Sequence, residues 1–308
     1  MSTDDFAPDT IASVVYAKNK AQQRAKARGL QADDAVLRAI SEQVLERLPL
    51  LLIEPKQTLD LGCWGPGYLD DLASVYPDSN ITGLTLGLAA NATGDQGASV
   101  AKKKPWLNRI ASFGQRKRHK LVTGDPHNLA FPDGQFDLVV SNLCLPFCQS
   151  PNAVFAEVAR VLKPGGAFLF SSLGPDTLLE YRQRWASVDT YPHVSGLIDM
   201  HDLGDAMLKA GLSDPVLDRS ALNLDYPSVE KLENELQVFG LVNTAFGRRK
   251  GLMSSSAVSR VRNLESRFTV GLELVHGHAW KTEFSTKRHS SNDEYKIPVS
   301  ELQGSWKR

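Results

Sequence analysis

The sequence predicts an α/β fold with a doubly wound, mostly parallel sheet, and three observations predict it. Residues 59–69 (LDLGCWGPGYL) combine a short apolar strand with a glycine-rich turn that leads directly into a helix. Strand-like and helix-like segments alternate along much of the chain, which is the order of repeated β–α–β units. Residues 136–141 (FDLVVS) are almost continuously apolar, as expected of a strand that is covered on both faces.

The first elements lie on either side of the glycine turn. Residues 35–50 carry apolar side chains at helical spacing and predict a helix that packs on the sheet. After the turn, residues 69–75 predict a helix, which Pro77 and Asp78 end, and residues 80–86 (NITGLTL) predict a second strand. These elements complete one β–α–β unit.

The middle of the chain continues the alternation. Residues 120–123 predict a short strand, and the loop GDPHNLAFPDG separates it from the apolar strand at 136–141. Residues 153–162 predict a helix that the turn residues 163–166 (KPGG) end, and residues 167–172 (AFLFSS) predict the next strand.

The last third of the chain predicts two helices and two strands. The helices are expected over residues 176–185 and 200–210, and Gly211 is a stop signal for the second. The strands are expected over residues 215–224 and 269–275.

The element pattern also predicts a division into domains. Residues 1–50 are expected to form an N-terminal helical segment, and residues 51–281 the main domain. Within that domain, residues 227–266 are longer than a hairpin needs and are expected to form a helical insertion that closes over the site. The polar residues 282–308 are expected to form a flexible tail.

Composition excludes several functional classes. The chain has 308 residues, of which 42% are hydrophobic, and its 35 Lys and Arg equal its 35 Asp and Glu, so no global charge favours nucleic acid or an anionic membrane. The cysteines Cys63, Cys144 and Cys148 form neither a disulfide framework nor a zinc ligand set, which favours a reducing compartment. With a polar N-terminus and no long apolar run, the chain is expected to be cytoplasmic.

The glycine turn predicts a nucleotide-cofactor site. Gly62, Gly65 and Gly67 permit a tight turn and a close backbone approach to a ligand, although glycine at such a connection can also be purely structural. A nicotinamide dinucleotide site would show G-x-G-x-x-G, with an acidic residue about twenty positions later. Here the glycines run G-x-x-G-x-G and the acidic residue, Asp60, precedes them, which favours S-adenosylmethionine (SAM).

The order of these segments resembles the class I SAM-dependent methyltransferases. The strand, the glycine turn, the GD loop, the FDLVVSN strand, the RVLKPGG turn and the FLFS strand follow one another as in that family. Four segments resemble more specifically the malonyl-acyl-carrier-protein O-methyltransferases of biotin synthesis, namely residues 171–182, 193–218, 247–252 and 275–281. The resemblance covers residues 33–281 and implies a Rossmann-like, seven-stranded sheet, SAM as cofactor and O-methylation of the malonyl carboxylate.

The resemblance also implies cofactor-binding residues along one edge of the sheet. Asp60 would meet the amino end of the methionine moiety, and Asp125 would receive the exocyclic amine of adenine. Asn142 lies where cofactor and substrate meet in this family. A helix N-cap is the structural alternative for Asp125, and a loop-backbone partner is the alternative for Asn142. The full set is Asp60, Gly62, Gly65, Gly67, Thr85, Asp125 and Asn142.

The implied chemistry points to the residues that act on the substrate. A malonyl carboxylate is already ionised at neutral pH, so it needs no general base, but a cation must fix it, and arginine is well suited to that. Three arginines lie in the segments that carry the resemblance, although each could occupy a solvated position. The expected catalytic set is Asn142, Arg182, Arg248 and Arg249.

Two departures from the family pattern leave other hypotheses open. Thr85 stands where the family carries an acidic residue for the ribose hydroxyls, and losing that contact would weaken SAM binding about ten- to a hundred-fold. Trp64 lengthens the turn and could fill space that the methionine tail uses. The alternatives are a catalytically impaired methyltransferase-like protein that binds a carrier protein or another partner, and a relative of the arginine hydroxylase of complex I assembly.

A basic segment suggests a partner. Between Asp95 and Asp125 there is no acidic residue, and eight cations occur there. Because acyl carrier proteins are acidic, the segment could dock one, with a flexible basic loop as the alternative. Nucleic acid is the weakest hypothesis because no binding motif is present. The expected docking residues are Lys102, Lys103, Lys104, Arg116, Lys117 and Arg118.

The HGHAW sequence is the one candidate for a metal site. His276 and His278 would share one face of a strand, but no third ligand with suitable spacing follows nearby. We therefore predict a structural or substrate-contacting role for these histidines, and no metal.

Overall fold

The computed structural model describes residues 18–23, 28–29, 34–86, 119–262 and 267–282. Seven strands in these ranges form one sheet. They are β1 (Gln57–Leu61), β2 (Asn80–Leu86), β3 (His119–Gly124), β4 (Phe136–Asn142), β5 (Leu162–Leu173), β6 (Leu212–Tyr226) and β7 (Phe268–Lys281).

Helices connect most of these strands. A helical segment at residues 18–23 lies N-terminal to all of the strands, and two 3₁₀ turns occur at Leu48–Leu51 and Leu145–Phe147. The α-helices are α1 (Asp34–Arg47), α2 (Pro66–Val75), α3 (Pro151–Val161), α4 (Leu179–Ala186), α5 (Met200–Lys209), α6 (Val229–Phe239) and α7 (Ser255–Arg262). None of the helices in the described ranges is long and apolar enough to cross a membrane.

The strand order confirms the predicted doubly wound sheet. The order is β3-β2-β1-β4-β5-β7-β6, and β1 pairs in parallel with both β2 and β4. The antiparallel strand β7 lies between β5 and β6. The direction of winding therefore reverses between β1 and β4, and ligands of such sheets bind at the carboxyl ends of the strands beside that switch point.

The sheet is covered on both faces by apolar side chains. On one face Phe155 of α3 contacts Phe168 and Phe170 of β5, with ring centroids 5.6 and 5.7 Å apart. On the other face, Val44 of α1 and Leu48 in the following turn are completely buried. This confirms the prediction that the helix over residues 35–50 packs on the sheet, and it holds the strand ends in fixed positions.

Because of tertiary contacts, several strands and helices begin or end at other residues than the sequence predicted. The HGHAW sequence lies inside β7 rather than after a strand that ends at residue 275, because β7 pairs with both β5 and β6 over its length. α4 begins at Leu179 instead of residue 176, since the Asp176 backbone N–H donates to Oε2 of Glu273 on β7. The KPGG turn is a bulge in β5, with a register shift against β4.

The predicted domain division is described only in part. Helices α6 and α7 lie within residues 227–266, as expected of a helical insertion. The predicted basic docking residues at positions 102–118 and nearly all of the predicted tail lie outside the described residues. The division into segments therefore stays a prediction.

Candidate active site

The glycine turn follows β1 and is held against β2. The backbone N–H groups of Gly62 and Cys63 both donate to the carbonyl of Leu84, at 2.9 and 2.8 Å. The backbone of Gly62 has a φ of 86° and that of Gly65 a φ of 142°, conformations that favour glycine. Helix α2 starts directly after Gly65, so its N-terminus points toward the switch point.

The carboxyl group of Asp60 is buried next to this turn beside the Cys63 thiol, which lowers the pKa of Asp60 by less than burial raises it. Asp60 is 1% exposed, and neither of its oxygens has a hydrogen-bond partner among the described residues. The hydroxyl of Tyr68 on α2 is buried and unpartnered as well. Burial raises the pKa of Asp60 to about 7 and raises the pKa of Tyr68 well above its usual value. A ligand with a cationic group would satisfy this carboxylate.

The three glycines of the turn have different reasons to be glycine. A Cβ on Gly62 would lie 2.5 Å from the Cβ and 2.8 Å from the Sγ of Cys144, so Gly62 permits close packing of the turn against Cys144. A Cβ on Gly65 or Gly67 would meet no atom within 4 Å. Gly65 and Gly67 therefore leave open space at the turn, which fits the predicted cofactor site, and the predicted contact of Gly62 with the cofactor stays a prediction.

Trp64, the additional residue in the turn, bridges the turn to β4. Its indole N–H donates to the backbone carbonyl of Asn142 at 2.8 Å. Its ring meets the ring of Phe147 edge-on, with centroids 6.0 Å apart. The indole therefore spans the switch point between the first turn and the segment after β4.

Asn142 connects three elements through its side chain. Its Nδ2 donates to the hydroxyl of Ser41 on α1 at 2.9 Å, and its Oδ1 accepts from the hydroxyl of Ser171 on β5 at 2.8 Å. The Ser171 oxygen in turn accepts the N–H of Leu143, whose φ is 53°. Because the amide is 1% exposed and engaged at both ends, Asn142 holds the strand ends in place, and its direct contact with cofactor or substrate stays a prediction.

Thr85 and Asp125 lie farther along the same edge of the sheet. The Thr85 hydroxyl lies 3.2 Å from both the Val122 carbonyl, to which it donates, and the Thr123 hydroxyl, so it links β2 to β3. Asp125 directly follows β3, and its Oδ1 accepts the backbone N–H of His127 at 2.9 Å. The structure thus brings Asp60, Thr85 and Asp125 to the carboxyl ends of three adjacent strands.

A cavity of about 310 Å³ lies beyond the ends of β4 and β5. Phe147, Leu173 and Leu178 form part of its apolar wall, and residues of α6 and the segment after it close it from the other side. Its lining contains Tyr181, His193, Ser195, Glu233 and Thr244, but no Lys or Arg of the described residues.

Several polar side chains of this cavity already have partners, inside its lining or next to it. The Tyr181 hydroxyl donates to Glu233 at 3.1 Å, and Glu233 also accepts from Arg262 at 2.9 and 2.5 Å. The His193 ring is stacked on Trp185 with centroids 4.1 Å apart. Sequence reasoning missed these residues as cavity lining, although His193 begins one of the segments that carry the family resemblance.

The three predicted arginines do not line this cavity. Arg182 donates to the carbonyls of Pro175 and Thr177, and burial lowers its pKa. Arg248 donates to two carbonyls in its own loop, 2.8 and 3.3 Å away. The guanidinium of Arg249 lies over the exposed ring of Tyr191, 5.7 Å from its centroid. None of the three guanidinium groups therefore lines this cavity, and their role toward a substrate stays a prediction.

His276 is buried in β7. The described residues contain no group of three or more side chains that could hold a metal ion. His276 is 1% exposed, and neither ring nitrogen has a hydrogen-bond partner in this part of the chain. Burial, assisted by Arg47, lowers its pKa from 6.5 to about 4. The ring is thus a neutral packing residue at neutral pH.

We expect His276→Leu to remove an acid-dependent loss of stability. Because its pKa is lowered, the contribution of His276 to stability is present above about pH 6.5 and is lost as the pH falls through about 4. The loss of stability over this range is about 3 kcal/mol. Urea unfolding of wild type and variant at several pH values measures the difference. A His276→Leu variant whose pH profile matches that of the wild type would contradict the assignment.

Comparisons with known proteins found relatives that match most of the chain. A sequence family described as a methyltransferase domain matches residues 59–170. The malonyl-[acyl-carrier protein] O-methyltransferase of Legionella pneumophila is 33% identical over 290 residues, which cover 90% of this chain and 96% of that protein. The protein of the same name from Gallionella capsiferriformans is 35% identical over 264 residues, covering 83% and 87% of the two chains.

The chain also resembles solved structures at low sequence identity. Phosphoethanolamine N-methyltransferase 2 of Haemonchus contortus, in complex with S-adenosyl-L-methionine, is 19% identical and has a TM-score of 0.46. The match covers 78% of this chain and 52% of that one.

Proposed function

This chain belongs to the malonyl-[acyl-carrier protein] O-methyltransferase family, and from that premise we propose how its own residues perform the family's reaction. The protein is a SAM-dependent O-methyltransferase that esterifies the free carboxylate of malonyl-acyl-carrier protein, early in biotin synthesis. The observation that carries the assignment to this site is the buried, unpartnered Asp60 carboxylate beside an open glycine turn.

The cofactor site proposed here lies along the ends of β1, β2 and β3. Asp60 binds the amino group of the methionine moiety. Gly65 and Gly67 leave room for the cofactor to lie close to the backbone of the turn. Thr85 lies at the position of the ribose and Asp125 at that of the adenine amine. When bound, SAM supplies a methyl group on a sulfonium, which a carboxylate oxygen of the substrate accepts to give a methyl ester.

The cavity beyond β4 and β5 is proposed as the site of the malonyl thioester. Its lining is largely apolar, so it excludes water from a reaction in which a cation and an anion neutralise each other; strong solvation of either would slow that reaction. The segment of residues 227–266, part of which closes this cavity, would act as its lid. No general base is needed, because the attacking carboxylate is already ionised at neutral pH.

One experiment tests this function. We expect the purified protein, incubated with SAM and malonyl-acyl-carrier protein, to increase the mass of the malonyl group by one methylene, with acetyl-carrier protein as the control that lacks a carboxylate. A methyl-ester product excludes arginine hydroxylation as the main activity. Absence of calorimetrically detectable SAM binding up to about millimolar ligand would favour the impaired, partner-binding alternative.

The partner is an acyl carrier protein, and its docking residues belong to the proposal. The basic residues between positions 102 and 118 remain proposed contacts. In the described chain, the segment that follows the cavity-lining residues 240–244 has exposed side chains: Phe246 is 63% exposed, Leu252 is 98% exposed, and Arg249 and Lys250 are exposed between them. Cations interleaved with apolar side chains suit an acidic carrier domain. The cytoplasmic location expected from the sequence likewise stays a proposal.

We expect the double variant Arg249→Glu/Lys250→Glu to raise the KM for malonyl-carrier protein about tenfold, because two attractive contacts with an acidic surface become repulsive. The KM for malonyl-pantetheine, which has no carrier domain, should not change. Steady-state kinetics with both substrates measures this, and Lys209→Glu, at an exposed position on α5, is the control. An equal rise in KM for both substrates would exclude docking at this surface.

A further inference from the structure

Lys18 reaches from the N-terminal helical segment to the edge of the cavity. Its ammonium lies 4.2 Å from the ring centroid of Phe147 and 4.9 Å from that of Trp64. Its aliphatic stem packs over Gly240, where a Cβ would overlap the Cγ of Lys18. Two of these three neighbours, Phe147 and Gly240, line the cavity, and the third, Trp64, belongs to the glycine turn.

This cation has no anionic partner in the described ranges. No carboxylate of the described chain pairs with it, and the charges that oppose the effect of burial on its pKa come from the buried thiols of Cys144 and Cys148. Burial lowers the pKa of Lys18. Two aromatic faces offset only part of the cost of removing an ammonium from water, so the site favours binding of an anion.

The position of Lys18 fits an anion that must meet the cofactor. The ammonium lies between the proposed thioester cavity and the turn that carries the proposed cofactor site. Among the described residues, the cavity lining contains no Lys or Arg, and the three arginines expected to fix the carboxylate do not line it. A carboxylate that extends from the cavity toward the glycine turn therefore passes Lys18.

We propose that the Lys18 ammonium is the counter-ion that positions the carboxylate of the substrate for methylation, an inference that rests on the function proposed above. In the reaction, a carboxylate oxygen forms a bond to the methyl carbon and the carbon–sulfur bond of the sulfonium breaks. Its electron pair stays on sulfur as a neutral thioether, and no proton is released. Methylation removes the negative charge, so Lys18 retains the substrate and favours release of the ester.

The choice of lysine rather than arginine has a chemical reason. An ammonium is a point charge that can contact one carboxylate oxygen and leave the other free to attack. A guanidinium pairs with both oxygens at once and would hold the nucleophilic oxygen as well. Lys18→Arg should therefore preserve substrate binding but lower kcat, whereas Lys18→Met should mainly raise KM.

The test combines kinetics with direct binding. For Lys18→Met we expect the KM for malonyl-carrier protein to rise about 10- to 100-fold, while the dissociation constant of SAM, measured separately, stays the same. Calorimetry with S-adenosylhomocysteine present should show that wild type binds malonyl-pantetheine more tightly than its methyl ester, and that this preference is lost in the variant. Lys18→Gln is a second variant that keeps a polar head group. Lys20→Met, at an exposed position of the same helical segment, is the matched control and should behave as wild type.

The outcomes distinguish this inference from the proposed function. If wild type methylates malonyl-carrier protein while Lys18→Met and Lys18→Gln keep its KM and its preference for malonyl-pantetheine over the ester, the inference is wrong and the function stands. The inference is also wrong if the variants change SAM affinity alone. If wild type forms no methyl ester, the function itself is wrong.

Discussion

Replacing Asp60 with Asn is expected to weaken SAM binding about ten- to a hundred-fold and, without SAM, to stabilise the protein at alkaline pH. The first effect follows because an ionised carboxylate is lost as partner for the cofactor's amino group. The second follows because wild type must bury an ionised carboxylate that has no partner in the described chain. The same substitution should thus lower the affinity for SAM and raise the stability of the protein.

The pH dependence gives this prediction its sign. The pKa of Asp60 rises from 3.8 to about 7 in the folded protein, so its stabilising contribution is present below about pH 3.8 and is lost as the pH rises through about 7. The stability of Asp60→Asn relative to wild type should therefore increase by about 4 kcal/mol between about pH 4 and about pH 8. Urea unfolding at both pH values measures it.

Cofactor binding provides an independent check of the Asp60 assignment. The affinity of wild type for SAM should increase as the pH rises through about 7, because only the ionised carboxylate pairs with the amino group, whereas the affinity of Asp60→Asn should not follow this titration. An Asn variant that keeps both wild-type affinity and the wild-type pH profile would show that the cofactor does not contact Asp60.

Asp60 and His276 affect the pH dependence of stability in opposite directions. Raising the pH from about 4 to about 7 removes the contribution of Asp60, while the same change restores that of His276. In wild type, the two residues change the free energy of unfolding with pH in opposite directions, and these changes largely cancel. In each single variant, the pH dependence due to the remaining residue should therefore become measurable. The comparison of variant with wild type at each pH is therefore the informative quantity.

Replacing Gly62 with Ala is expected to destabilise the protein by about 2–5 kcal/mol. The new Cβ would lie 2.5 Å from the Cβ of Cys144, and the φ of 86° is unfavourable for any residue with a Cβ. Chemical denaturation measures the loss. The double variant Gly62→Ala/Cys144→Gly should recover the steric part of the loss but not the part due to the backbone conformation.

Gly67→Ala is the matched control in the same turn. A Cβ at Gly67 would meet nothing within 4 Å, and the residue lies in the first turn of α2, so stability should stay the same or rise by about 0.5–1 kcal/mol. The affinity for SAM should nevertheless fall if Gly67 leaves room for the cofactor. Equal destabilisation by both Ala substitutions would show that the packing of Gly62 against Cys144 is not the cause.

The fold was predictable from local patterns. Strand β2 has the bounds that the sequence predicted, and β4 and α5 differ from their predicted bounds by one residue each, because apolar runs and turn residues are close together in the chain. The shift of the α4 start depends on Glu273, which is 97 residues from Asp176. Local patterns contain no information about such a distant partner.

The candidate site was predictable only in part. Asp60, Gly65 and Gly67 were identifiable from one short motif, and their surroundings in the structure fit a cofactor. The arginines were identified from their charge and from the family resemblance, yet Arg182 and Arg248 donate to backbone carbonyls. Charge in a sequence indicates what a side chain is able to bind, but not which partner it contacts.

The sequence by itself determined the alternation of strands and helices, the glycine turn after β1 and the family to which the chain belongs, since each depends on residues close together in the chain. Only the tertiary structure decided that Asn142 is held by Ser41, 101 residues away, and that Lys18 lies over Trp64 and Phe147. The physical reason is that burial and side-chain pairing depend on which elements the folded sheet brings together, and these contacts turn a cofactor motif into a specific site.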